Sequence, residues 1–333
     1  MGFFYATGRN RDYLTLADEQ LENHADLIPP AYVSGLWSSK GTAHFNRGEW
    51  RFAIEALRKA RDLIDRTDAS RRILLGGADQ LIATQTYFFR SLVAMGFIDE
   101  AVETTERFVQ TIDRMEKPFD IAWALSLKCS LCALLGQNDV LLQDATKIIE
   151  ISERHGYPAR QANGLSWRGI ARSRLGELNA GIDDAHEGMV LWRGQGVVFH
   201  TPGLICWLCD LLVQAGRLDE ASQLLHEADA LVIDTDEACV LAECVRIRGQ
   251  IAACANDLTG AVRLFEKAIA ICQRQEARLL ELRATTQLAS VLARQGRAQE
   301  GQTRLRAITD AFDTRYEIVD LADARKVLDT LRR

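Results

Sequence analysis

The stretch GQIAACANDLTGAVRLFEKA, running from Gly249 to Ala268, decides the fold. A small residue, Gly249, is followed seven places later by a turn residue, Asn256, and Ala261, Phe265 and Ala268 stand five, nine and twelve places beyond that turn. Spacing of i, i+4, i+7 is one face of a helix. Two antiparallel helices joined by a short turn need a small residue where they approach most closely, and Gly249 supplies it. Working outward, the same wording recurs around turn residues Gly48, Gly96, Gly136, Gly176, Gly216, Asn256 and Gly296; subtracting neighbours gives 48 and then 40 five times over. A fixed period in a helical pattern marks a stacked helix-pair solenoid, each unit burying its apolar face against its neighbours.

Seven before each turn stand Gly41, Phe89, Cys129, Gly169, Cys209, Gly249 and Ala289, all small but Phe89. The residue at +5 is expected to open the second helix. At +3, the residues Arg51, Asp99, Asp139, Asn179, Asp219, Thr259 and Gln299 are mostly short acceptors of the kind that cap a free helix amide. The eight-residue surplus of the first interval is placed around Asp68 to Ala78, where Arg71, Arg72, Gly76 and Gly77 read as a longer connection. Leu14, Ala17, Leu21, Ala25 and Ile28 before the Pro29-Pro30 break, and Ile318, Leu321, Ala322, Leu328 and Leu331, read as capping helices for the two ends of the array. The expected layout is residues 1–30 as an N-terminal cap, 31–315 as seven repeats and 316–333 as a C-terminal cap.

Small residue, turn glycine, then alanine, bulky apolar and alanine is the wording of tetratricopeptide repeats, which this chain resembles over about residues 31 to 315. The resemblance implies an all-α, right-handed αα-superhelix of about seven helix pairs. It departs in period, since the common repeat has 34 residues and 40 implies longer helices. Longer phrases resemble the C-terminal helical region of bacterial adenylate or guanylate cyclases and multidomain signalling ATPases. These are His155-Gly156-Tyr157-Pro158, Trp192-Arg193-Gly194-Gln195-Gly196, Arg246-Ile247-Arg248-Gly249, Arg274-Gln275-Glu276-Ala277, Glu281-Leu282-Arg283-Ala284, Phe312-Asp313-Thr314 and Asp320-Leu321. In that family the region is the sensing or protein-binding arm. No Gly-x-x-x-x-Gly-Lys-Ser/Thr phosphate loop is present, so cyclase or ATPase activity is not carried over.

The tetratricopeptide resemblance implies a concave groove lined from the first helices. Its candidate binding residues are Trp37, Arg90, Trp123, Asn163, Ser166, Arg174, Asp210, Glu243, Arg246, Gln250, Arg283, Thr286 and Arg294. Arginines there would suit a peptide carboxylate or acidic segment, with Arg246 and Arg283 foremost. A net charge of -6 argues against nucleic acid and anionic membrane as partners, and leaves a protein, a peptide or a small ligand. A signalling ATPase or cyclase is the partner the resemblance implies. The N-terminus has no secretory pattern and no apolar stretch approaches a membrane span, so the expected location is the cytoplasm.

Constellations that could carry chemistry dissolve into packing. Cys129-x-x-Cys132 and Cys206-x-x-Cys209 lie 73 residues apart and in different registers about the small position, so they read as core thiols and not as a zinc site. Asp183-Asp184-Ala185-His186-Glu187 superficially resembles a metal-diphosphate motif, but with Gly181, Ala185 and Gly188 holding the packing face the acids are expected to point to solvent. The six histidines show no His-Glu-x-x-His spacing and no Gly-x-Ser-x-Gly elbow appears. Neither catalytic residue, metal nor cofactor is expected. Lys40, Lys128, Arg168 and Arg248, each eight before a turn, are expected to lay their stems on the core and form ion pairs between repeats. A non-catalytic interaction or sensor scaffold is the reading these residues favour; a small-molecule-sensing arm and an all-helical enzyme remain the alternatives.

Overall fold

The computed structural model describes residues 9–23, 27–66, 72–75 and 77–332. Among them sixteen α-helices run in chain order: α1 (Asn10–Asn23), α2 (Pro30–Asn46), α3 (Trp50–Asp65), α4 (Gln80–Met95), α5 (Ile98–Val109), α6 (Pro118–Leu134), α7 (Asn138–His155), α8 (Pro158–Arg174), α9 (Leu178–Arg193), α10 (Thr201–Gln214), α11 (Leu218–Thr235), α12 (Leu241–Cys254), α13 (Leu258–Gln275), α14 (Arg278–Arg294), α15 (Ala298–Asp310) and α16 (Val319–Leu331). Helices α2 to α15 form seven antiparallel pairs around the seven turns, with α1 packed on α2 and α16 on α14 and α15. The fold is a tetratricopeptide-like all-α solenoid. The long first interval holds a two-residue antiparallel ladder, Leu74–Leu75 with Ala78–Asp79, before α4 begins; its neighbours 67–71 and 76, like His24 and Ala25 of the N-terminal segment, lie outside the described residues.

The turns are built alike. Every turn residue has a positive φ, from 64° at Asn256 to 94° at Gly176. The residue after it donates its amide to the carbonyl four before the turn, as in Glu177 to Arg172 at 2.8 Å and Arg297 to Leu292 at 2.8 Å. This satisfies the last free carbonyls of the first helix, and glycine is favoured because the left-handed region costs it nothing. Second helices begin at +2, a turn earlier than the +5 expected. The +3 residues are therefore not caps. Asp99, Asp139 and Asp219 stand inside the first turn, where a carboxylate gains from the helix dipole, and it is Asp257, at +1 of the sixth turn, that accepts an amide of its own helix start, that of Gly260 at 2.8 Å.

Small residues set how closely the pairs pack. A methyl at Gly169 would stand 2.6 Å from the Gly181 carbonyl oxygen, and one at Gly181 would stand 2.5 Å from that of Gly169, so α8 and α9 touch backbone to backbone. At Gly249 the obstacle is the Phe265 ring, 2.7 Å away. This closeness corrects the expectation for Asp184. Its carboxylate is buried, receives Arg168 Nε at 2.8 Å, Arg168 Nη2 at 2.7 Å and Arg172 Nη1 at 2.9 Å, and so bolts α9 to α8. The expected ladder between repeats holds at Arg248 and is corrected at Lys128 and Arg168. Lys128 with Asp144 (2.9 Å) and Arg168 with Asp184 join the two helices of one pair, whereas Arg248 reaches back to Asp229 (2.5 Å) and Lys40 to Asp18 of α1.

Successive coils of the array meet. Turn residues of the first three pairs meet the far connections: Gly48 abuts Gln275 and Ala238, Gly96 faces Phe312 and Arg278, and Gly136 faces Val319. Helix α14 packs on α4 across the centre and α16 on α6. One hydrophobic cluster accordingly runs from Phe45 through Leu92, Leu127 and Leu282 to Leu328, while α9 to α11 share a second centred on Ile205, Leu212 and Leu225.

Candidate functional site

A chain of ion pairs runs across the first helices of the last three pairs and the terminal helix. Arg246, with only 4% of its side chain open, donates to Asp210 at 2.7 and 2.9 Å and to Glu243 at 2.9 and 3.0 Å. Arg283 reaches Glu243 at 3.8 Å and donates to Asp320 at 2.5 Å. Three carboxylates thus share two guanidiniums. Burial pulls the Arg246 pKa down, but Asp210 and Glu243 outweigh it and the net shift is upward. Burial, with Glu243 nearby, raises Asp210, and Arg246 and Arg283 do not fully offset this; at Glu243, the same two arginines overcome burial and the shift is downward. About a third of the Asp210 side chain (32%) and of the Arg283 side chain (37%) stays open, so the chain of pairs presents a wettable wall.

A second polar node lies where connections between pairs approach α4. Glu237, 1% exposed, accepts the His200 amide at 3.1 and 3.2 Å, and His200 Nε2 lies 3.0 Å from the Tyr87 hydroxyl. Burial pushes the Glu237 carboxyl up to about 7, against the pull of its bonds to Thr235 and His200 and of Arg90. Burial, with Arg90 and Arg160 nearby, holds His200 well below the ordinary imidazole value. The guanidinium of Arg90 sits 4.7 Å over the Phe45 ring, and that of Arg160 sits 4.4 Å over Trp123.

The structure therefore brings Asp210, Glu243, Arg246 and Arg283 together, and sets Arg90 and Trp123 at the second node. Arg174 and Arg294 each donate to a carbonyl 41 residues back, Ala133 at 2.7 Å and Ala253 at 3.0 Å, tying one pair to the preceding one. Asn163 bonds within its own helix to Ala159 at 2.7 Å, Gln250 Oε1 is buried without a partner, and Trp37 lies under Lys59 (4.3 Å) and Lys40 (5.3 Å) beside α3. Ser166 bonds to Ala162 and Thr286 to Leu282, each on its own helix. Sequence reasoning did not find Asp320, His200, Glu237 or Tyr87. The first lies in the cap and the next two in connections, outside the groove positions that the repeat defines. The cysteines of both C-x-x-C pairs are buried, and burial raises Cys132 to about 11 and Cys209 to about 12. Cys206 Sγ lies 3.4 Å from Cys244 Sγ, between α10 and α12. Among the described residues no three His, Cys, Asp or Glu side chains gather as a metal would need, and no helix is long and apolar enough to cross a membrane.

No family model matches the chain. An uncharacterized protein of Rhizobium meliloti (strain 1021) is 25% identical over 242 residues, 72% of this chain but 24% of its own length. The chain thus spans about a quarter of the curated relative it matches. Among solved structures, a Rap protein complexed with Competence and Sporulation Factor superposes with a TM-score of 0.62 at 11% identity, over 91% of this chain and 88% of that one. NprR in complex with its cognate peptide NprX gives 0.57 at 14% identity, over 86% and 82%, and aspartyl phosphate phosphatase F from Bacillus subtilis gives 0.56 at 10%, over 89% and 74%. At these identities the likeness is one of fold.

Proposed function

We propose that this chain is a non-catalytic peptide-sensing scaffold, taking an extended peptide against the concave wall between Arg90 and the Asp210–Arg246–Glu243–Arg283–Asp320 chain of pairs. The observation that carries the reading is that this wall combines fixed, alternating charges with partly open side chains at Asp210 and Arg283. Such a surface offers directional contacts to a peptide's charged groups without an enzyme's convergent acid and base. The shared fold supports it, since the Rap and NprR structures were both solved with a peptide or signalling factor bound. Because Arg246 is saturated by its own carboxylates, a ligand carboxylate meets Arg283 first and a ligand cation meets Asp210. Binders selected from a random peptide library on the purified chain should lose at least tenfold in affinity with Arg283→Gln or Asp210→Asn at matched thermal midpoint, measured by fluorescence anisotropy. Binders indifferent to both changes and to Arg90→Gln would remove the groove from the account.

A finer reading concerns the setting in which the scaffold works. We infer a sensor arm serving a cytoplasmic signalling ATPase or cyclase, on the wording shared with such arms and on a relative of which this chain matches only a quarter. Co-purification of the chain with the product of an adjacent ATPase or cyclase frame tests it, and a neighbourhood lacking any such frame counts against it.

A further inference from the structure

The clearest departures from the repeat lie at two places distant in sequence and adjacent in space. Twenty residues past the third to sixth turns stand Gly156, Gly196, Asp236 and Glu276, all with left-handed φ of 70°, 69°, 53° and 57°. The first two are glycines, to which that backbone costs nothing; the last two carry side chains and bear the strain. Both strained residues are acids, and both face the first turn. Asp236 pairs with Arg47, and with Arg11 at 3.3 Å, while Glu276 takes Arg51 through both oxygens, Nε to Oε1 at 3.1 Å. The first turn departs in the complementary sense. Its +3 position is Arg51, where the second, third and fifth turns carry Asp99, Asp139 and Asp219. Between the two pairs, Gln275 Nε2 donates to the Ala238 carbonyl at 2.8 Å and Gly48 leaves room for that amide.

We propose that Arg47 and Arg51 with Asp236 and Glu276 form an electrostatic clasp that holds the first turn against the connections after α11 and α13, and that its release parts this end of the seam to uncover the node of Tyr87, His200 and Glu237. Two acids in a conformation that favours glycine, meeting a basic pair where the repeat favours acid, are matched exceptions; packing of the units alone requires neither. The outer pair is half open, with 59% of Arg51 and 47% of Glu276 exposed, against 20% of Arg47 and 30% of Asp236 in the inner one, so salt weakens the clasp first at Arg51 while the buried pair interfaces persist. Glu237 lies next to Asp236 in the chain, and His200 to Tyr87 is the neighbouring contact along the same seam. Release at Asp236 therefore propagates to both.

The test measures the distance between spin labels at Glu55→Cys and Arg274→Cys in a Cys254→Ser chain, the other seven cysteines being buried. At low salt the clasped chain should give one short distance, and raising salt to about 1 M, where screening acts within some 3 Å, should add a longer population. Asp236→Gly with Glu276→Gly restores what the two preceding units carry, so the chain folds, and it should show the long population at every salt concentration. Arg47→Glu with Arg51→Glu should do the same, and adding Asp236→Arg with Glu276→Arg should bring the short distance back. A glycine variant with the wild-type distance and no salt response overturns the clasp, as does a reversed set of charges that fails to restore the short distance. Peptide affinity is not the readout, so failure here and failure of the groove are told apart.

Discussion

At the scale of single residues, the small positions carry the architecture, and they were legible because the repeat prints them in six of seven units. Gly169→Ala should destabilise by about 2 kcal/mol in thermal or urea unfolding, since the added methyl meets the Gly181 carbonyl and neither backbone can yield. At Gly249 the obstacle is a side chain, so Gly249→Ala should be rescued in part by Phe265→Leu. Glu237 was not legible, since its burial depends on residues far apart in sequence. Its carboxyl stands at about 7 against an ordinary 4.5, so between those values the unfolded chain has released a proton that the folded chain keeps. Stability contributed by this group is present below about pH 4.5 and is lost as pH rises to about 7. Glu237→Gln should therefore gain on wild type across that window, by at most about 3 kcal/mol, and stay level above it. His200 faces Glu237 and acts oppositely, its depressed pKa costing stability as pH falls below about 6.5, so the informative quantity is the difference between variant and wild type at each pH.

At the scale of helix pairs, periodicity gave the turns and the inner faces, but not the side on which the acids fell. Gly181, Ala185 and Gly188 do mark the face of α9 turned to α8, and from this Asp184 was expected outside. A helix made of such small residues lies so close to its neighbour that the flank of the contact is covered too, and Asp184 is caught there with two arginines. Asp184→Ala should cost about 2 kcal/mol, the scale of a charge-assisted hydrogen bond, and should raise hydrogen exchange in α8 and α9 ahead of α12 and α13. The groove positions lay on a regular register and could be named. Which of them hold one another could not, because Arg246 finds Asp210 across 36 residues, and only the superhelical pitch decides that meeting.

At the scale of the whole molecule, the sequence described a line, and in the structure its successive coils meet. Nearest-neighbour stacking is written in each unit, whereas contact between coils depends on rotations summed over several units, which no single repeat encodes. The consequence is testable by truncation. A chain ending at Tyr316 loses α16, and with it Asp320 from Arg283 and Val319 from Gly136. In an array without such contacts, faster hydrogen exchange would stop at α14 and α15. Here it should appear also in α6 and around Gly136, while α9 to α11, which share their own cluster, stay protected.

Arg47 and Arg51 stand four residues apart, and the two carboxylates they meet stand forty apart, so the coils mesh in one register only. Such a gear has a fixed number of teeth. Duplicating or excising one forty-residue module, a change that a stack without coil-to-coil contacts absorbs as mere length, would here carry both carboxylates past their mates and leave the coils out of mesh.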